Sequence, residues 1–173
     1  MKIKRLLSLA VGAVMALSMS VSAFATETGK YAQFYKTNGT DVSMVQLAVD
    51  NKTATVTEDG DAYDITFDVS EFTISRTIPG TSITVSGSGY LTGLSFVGLD
   101  GKTITTTAKL EDDHSGTITI ENVSEEDYDL LESGEKYTVQ VDYEVSITEG
   151  EYTHTNADAL FTLSNSYNEY VNN

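Results

Sequence analysis

Tyr137, Val139, Val141, Tyr143, Val145 and Ile147 are apolar, and Thr138, Gln140, Asp142, Glu144 and Ser146 between them are polar. Successive side chains of a strand point to opposite faces, so this run predicts one long strand with a buried and a wet face. The period of two recurs at Tyr63, Ile65, Phe67 and Val69, at Ile83 and Val85, at Leu94 and Phe96, and at Ile118 and Ile120. Thr, Val, Ile, Tyr and Phe dominate these runs, and all five suit a pleated, half-buried surface. Asp59-Gly60 and Asp100-Gly101 are hairpin dipeptides between such runs. Pro79-Gly80, Gly87-Ser88-Gly89, Ser115-Gly116 and Glu149-Gly150 punctuate the rest, with Gly87-Ser88-Gly89 read as a turn or bulge between strands. Roughly eight strands at short spacing predict an all-β sandwich.

Two segments break the alternation. Ser124 followed three residues later by Asp127 is a capping signature, and Tyr128, Leu130 and Leu131 behind it can seat a helical turn on the sandwich edge. From Val42 to Val49 a short helix would bring Met44, Val45 and Leu47 together. Tyr137 and Tyr143, on the regular apolar face, are expected in the core.

The ends of the sequence change the picture more than its bulk composition. Lys2, Lys4 and Arg5 precede an apolar run from Leu6 to Val21, and Ala23-Phe24-Ala25 is a small-x-small cleavage site. Residues 1–25 therefore read as a secretory signal peptide, and the mature chain is expected to start at Thr26, without a membrane span. Residues 26–164 form the expected domain, followed by a polar tail, 165–173, expected to fray. There is no Cys for a disulfide or a lipid anchor, and the lone Pro79 leaves no Leu-Pro-x-Thr-Gly wall-sorting signal. The expected location is extracellular, with any hold on the cell surface supplied by a partner.

The leader takes three of the 10 Lys and Arg and none of the 26 Asp and Glu, so the remainder carries a net charge of about −19. Nucleic acid and anionic membrane are poor partners for it, since both require clustered Lys and Arg. Asp59-Gly60-Asp61 and Glu111-Asp112-Asp113 lack the spacing of a 12-residue calcium loop and read as turns.

Catalytic patterns are missing. The two histidines, His114 and His154, stand in no nucleophile-elbow context and form no His-x-x-x-His pair for zinc. No Gly-rich loop precedes a helix. The chain is read as a non-enzyme.

A set of short motifs resembles the NEAT domain, the haem-uptake module of Gram-positive bacteria. Gly29-Lys30-Tyr31 looks like the opening of its first strand, and Ser43-Met44 like the short helix after it. Thr53 to Val69 with Glu58-Asp59-Gly60 resembles the next hairpin. Gly89-Tyr90-Leu91-Thr92-Gly93-Leu94 with Asp100-Gly101-Lys102 is similar to the middle strands, and Tyr137 to Ile147 with Ala157 to Leu163 to the last pair. The resemblance covers Gly29 to Ser164. It implies an immunoglobulin-like β-sandwich with one or two short helices that binds haem b, taken from haem or a haemoprotein and exchanged with other surface haem-uptake proteins.

What the resemblance implies for the site is a Ser toward a haem propionate, apolar residues over the ring and a tyrosinate on the iron. Ser43, Met44 and Val45 would form the lip. Haem-binding members carry Tyr-x-x-x-Tyr on the last strand; here Tyr152 would ligate the iron, Asn156 replaces the second tyrosine, and His154 between them could assist or replace the ligand. The alternative is a secreted Ig-like interaction module that kept the sandwich and lost haem.

Overall fold

Residues 26–77, 80, 82–147 and 153–171 are described by a computed structural model; the side chains of residues 26–28, Arg76 and His154 lie outside that description. The expected leader (1–25), Pro79, Glu149-Gly150 and Tyr152 fall outside it too.

Alternation becomes sheet almost wherever it occurs. The strands are β1 (Thr26–Tyr35), β2 (Val49–Asp59), β3 (Ala62–Val69), β4 (Phe72–Thr77), β5 (Thr84–Val97), β6 (Thr103–Ile104), β7 (Thr106–Leu110), β8 (Gly116–Ser124), β9 (Tyr137–Ser146) and β10 (Thr153–Ser164). All pairings are antiparallel, in the order β4-β5-β9-β10-β1-β2-β3-β8-β7, with β6 added to β5. The two ends of this path curl toward each other. The Thr106 hydroxyl on β7 donates to the Leu94 carbonyl on β5, so the sheet folds into two facing layers. This is the expected all-β, immunoglobulin-like sandwich, with ten strands among the described residues rather than about eight.

The core spans both layers. Phe34, Phe67, Phe96 and Phe161, from β1, β3, β5 and β10, are almost wholly buried. Their rings approach at 5.1 Å (Phe34–Phe161), 5.8 Å (Phe34–Phe67) and 6.2 Å (Phe67–Phe161 and Phe96–Phe161). Contacts of this kind add to the area they bury.

Two irregular segments close opposite ends. At one, α1 (Glu125–Ser133) follows β8. The Ser124 hydroxyl accepts from the Asp127 amide at 3.2 Å and donates to its carboxylate at 2.8 Å. Glu125, Glu126 and Asp127 in the first turn suit the positive end of the helix dipole. Gly134, at φ 95°, ends the helix in the left-handed conformation that glycine adopts without strain. At the other end a five-residue 3-10 helix, Met44–Ala48, lies between β1 and β2 with Ser43 as its cap. We call it the lip helix.

Two expectations fail. Gly87-Ser88-Gly89 is not a break between strands; it lies inside the 14-residue β5, flanked by β4 and β9. A Cβ on Gly87 would stand 2.6 Å from the Ser146 carbonyl oxygen, and one on Gly89 2.8 Å from that of Glu144. The glycines serve close approach of backbones rather than a turn. The second concerns the tail, which is docked through Val171. The Asn168 amide donates to Gln33 Oε1 at 2.8 Å, its carbonyl accepts from Gln33 Nε2 at 3.1 Å, and Tyr167 sits 5.8 Å from the Tyr31 ring. A polar composition suggested fraying, but the polar groups find partners on β1.

Candidate functional site: a cleft under the lip helix

Beyond the phenylalanine core, β4, β5, β9 and β10 continue past the end of the sandwich, and their registers define one surface. Leu91 pairs with Tyr143, which pairs with Thr155. In the next row Phe72 pairs with Gly89, Gly89 with Val145, and Val145 with Thr153. These rows continue the face carrying buried Val139, Val141, Ala159 and Phe161. Gly89 has no side chain, and Phe72 and Val145 close over it, each within 3.0 Å of where its Cβ would stand. The result is an apolar platform with a phenol and two threonine hydroxyls along it.

The lip helix covers the inner edge of this platform. Ser43, Met44 and Val45 line a cleft of about 80 Å³ with Phe72, Leu91, Tyr143 and Ala157. Val45, Phe72 and Leu91 are buried, whereas Ser43, Met44 and Tyr143 are half-buried at its mouth. The Ser43 amide donates to the Phe34 carbonyl at 2.9 Å. Its hydroxyl reaches the Val45 amide only at 3.4 Å, a long bond that leaves the oxygen open to another partner.

Ser43, Met44 and Val45 thus line one cleft, and Tyr143, expected in the core, joins them. The alternation signal was correct for its face; Tyr143 lies one step beyond the last fully buried position, Val141. Asn156 is elsewhere: it is exposed, pairs with Asp142, and alternates with the cleft-lining Ala157. In the backbone register His154 pairs with Glu144. Tyr152 lies outside the described residues. The β10 positions on the cleft face are Thr153, Thr155 and Ala157, so none of the three supplies a tyrosine there.

Behind the cleft wall, each of three lining residues has a neighbour in a polar cluster. Tyr90, beside Leu91, donates to Glu144 Oε2 at 2.6 Å and stacks on the His114 ring at 3.6 Å. His114 Nδ1 lies 3.7 Å from Glu71 Oε2. Glu71 and Glu144 adjoin Phe72 and Tyr143, so the outer face of the wall is pinned where β4, β5, β9 and the β7–β8 turn meet. Among the described residues no group of three or more His, Cys, Asp or Glu is arranged to hold a metal ion, and no helix is long and apolar enough to cross a membrane.

No family model matches the sequence, and no curated protein matches it. Solved structures do. The chain is similar to the NEAT5 domain of IsdX2, a B. anthracis hemophore, in complex with heme, at 11% identity over 83% of this chain and 98% of that one, with a TM-score of 0.52. A point variant of the same domain, also with heme, gives the same figures. This chain has the NEAT fold. At that identity the likeness speaks for the architecture and leaves the chemistry to the residues of this chain. Among the described residues, the tyrosine that lines this cleft is Tyr143 on β9.

Proposed function

We propose that the chain is a secreted haem-binding protein of iron acquisition, taking haem b into the cleft and passing it on without chemical turnover. The observation that carries this reading is the convergence of Ser43, Met44 and Tyr143 at the mouth of one apolar cleft, on a fold whose solved examples hold heme.

The donor chemistry suits the group. Met44, Val45, Phe72 and Leu91 offer apolar faces, Ser43 and Thr155 offer hydroxyls for carboxylates, and Tyr143 offers a phenol. A phenolate is a hard anionic ligand that favours ferric iron and leaves it able to transfer. Space sets a condition. The cleft, at about 80 Å³, is well below the roughly 300 Å³ at which ligand pockets begin. A flat ring therefore has to lie out along the platform toward Val145 and Thr153, with the lip helix lifting to admit its edge. Of the tyrosines within reach in sequence, Tyr143 is the first choice for the iron; Tyr152, one residue before β10, is the second, with His154 as an accessory.

A hemin titration of the purified protein followed by its visible spectrum tests this. The reading expects a saturable one-to-one Soret band, lost in Tyr143→Phe and weakened in Ser43→Ala. Retention in Tyr143→Phe with loss in Tyr152→Phe moves the ligand to the hairpin connection but keeps the function. With no saturable band for the unaltered protein, the reading falls.

A second reading has its own observation. The cleft face of β10 presents Thr153, Thr155 and Ala157 in place of a tyrosine pair, which favours an interaction module that kept the sandwich and lost haem. Pull-down of bacterial surface proteins by a chain that fails the titration would support it.

A further inference from the structure

The lip helix is held by two buried glutamines that reach, through each other, to the C-terminal segment. β2 pairs with β1 only as far as Tyr31↔Thr53. Beyond it, the edge of β1 at Ala32 and Phe34 has lost its strand partner, and Gln46 of the lip helix takes its place. Gln46 Oε1 accepts from the Phe34 amide at 2.7 Å, and its Nε2 donates to the Ala32 carbonyl at 3.0 Å. The side-chain amide thus mimics one residue of a neighbouring strand. Gln46 is 1% exposed, so it has exchanged water for these partners entirely.

The same Gln46 oxygen accepts from Gln33 Nε2 at 2.9 Å. Gln33, also fully buried, spends its remaining capacity on the tail: Nε2 donates to the Asn168 carbonyl and Oε1 accepts from the Asn168 amide. Asn168 Nδ2 donates to the Tyr35 hydroxyl at 2.9 Å, and Lys52 lies over the Tyr167 ring at 4.3 Å. The segment then runs on to Val171, which lies beside Thr40, Asp41 and Val42, the residues leading into Ser43. The continuous chain of contacts is tail, Gln33, Gln46, lip helix, cleft.

We propose that residues 165–171 are a strap that sets the lip helix, and that Gln33 and Gln46 are positioning residues for the cleft. With the strap docked, Gln33 has its polar atoms satisfied and holds the Gln46 amide in register with β1. With the strap away, Gln33 loses both contacts with Asn168 and faces water, and Gln46 shares its acceptor with solvent. Buried amide networks are firm when complete and weak when partly satisfied. Besides Gln46, the lip helix is held by backbone bonds at its two ends, from the Ser43 amide to the Phe34 carbonyl and from the Ser70 amide to the Ala48 carbonyl, each 2.9 Å; between them it is a short 3-10 turn with a long cap bond. Strap release is therefore the motion that lets the lip lift, which the small cleft requires of any ligand that enters. That last step rests on the cleft being the ligand site as proposed above; the mechanical link does not.

Hydrogen exchange on the full protein tests the link without a ligand. Asn168→Pro removes the backbone amide that donates to Gln33 Oε1 and the side-chain amide that donates to the Tyr35 hydroxyl, and keeps a carbonyl for Gln33 Nε2. The expected result is exchange at Val45 to Ala48 faster by about tenfold, the scale set by losing two hydrogen bonds of ordinary net strength, with β9 and β10 unchanged. A chain ending at Ser164 should show the same local pattern more strongly. Loss of protection in the strap with Val45 to Ala48 unaffected would overturn the proposal. If the shortened chain fails to fold, Asn168→Pro decides alone. Hemin dissociation gives the second readout: it should quicken in both variants if the cleft holds haem, and if no hemin binds, the cleft reading fails while the exchange result still judges the strap.

Discussion

The two ends of the sandwich are closed by different means. The α1 end is finished: a capped nine-residue helix with a left-handed glycine stop, Leu131 fully buried, and Tyr128 stacked on Tyr63 at 4.1 Å. Asp127, itself buried, accepts from the Leu99 amide at 2.9 Å and so ties the β5–β6 turn to the helix. The lip end has five residues of 3-10 helix, a cap bond of 3.4 Å, half-buried Met44 and a cleft beneath. One end spends its contacts on closure. The other leaves side chains facing a gap and is positioned by two glutamine amides together with the backbone bonds at the two ends of the lip helix. A binding site belongs at the end whose opening costs least, since ligand-gated segments are drawn from the low-stability part of a fold.

The contrast is sharpest in core truncations. Leu131→Ala should cost about 2–5 kcal/mol, the usual range for emptying a filled core position. Met44→Ala should cost about 1 kcal/mol or less, because a half-exposed side chain loses little burial. Chemical denaturation of both variants measures the difference; equal losses would mean that the lip is as much a structural plug as the helix. The caps give a smaller version of the test. Ser124→Ala should cost about 0.5–2 kcal/mol, and Ser43→Ala no more than the low end of that range. Hemin affinity should rank the other way: Ser43→Ala lowers it and Ser124→Ala leaves it unchanged.

Tyr143→Phe separates binding from folding more cleanly still. The phenyl ring keeps the packing against Leu91 and Phe72, so the midpoint of unfolding should hardly move, while the visible band of bound hemin should be lost. A variant that unfolds readily would return Tyr143 to the core role that strand alternation first suggested for it.

That reversal shows where sequence reading was strong and where it could not reach. Period-two alternation located β3 and β9, the Asp-Gly pairs located two hairpin turns, and Ser124 with Asp127 located α1, because each signal is local and carries its own mechanism. The short helix carrying Met44 and Val45 was legible as a break in that alternation; a haem lip of Ser43, Met44 and Val45 came from the resemblance and stands as a proposal. The role of Gly87 and Gly89 was not, because it depends on the distance to Ser146 and Glu144, more than fifty residues on. Nor was the strap: a polar tail reads as solvated until Gln33, 135 residues earlier, supplies its partners. The face of β10 was the finest distinction. Side chains on a strand alternate, so the step from Asn156 to Ala157 carries a position from the outer surface to the cleft. Motif spacing alone does not say which of the two faces inward.

The smallest effect at neutral pH, and the one that returns to the α1 end, concerns Tyr137. Its ring stacks on Phe96 at 5.2 Å and is buried, and its hydroxyl has no hydrogen bond of ordinary geometry. Burial raises the phenol above its ordinary value, and the neighbouring Asp127 carboxylate raises it further. A pKa raised on folding means that the neutral phenol is the form the native state accepts. Its contribution is complete below pH 10, the ordinary value for a tyrosine, and declines as pH rises above it, because the unfolded chain ionises first. At pH 7 Tyr137→Phe should therefore cost little, removing an oxygen whose nearest polar neighbour, Asp127, makes no bond of ordinary geometry with it. Above pH 10 the unaltered protein should lose stability more steeply than Tyr137→Phe does. Denaturation midpoints of the two proteins, measured from pH 8 upward, should coincide at first and separate beyond pH 10. Parallel curves throughout would mean that the phenol reaches water and that the α1 end opens more readily than its packing implies.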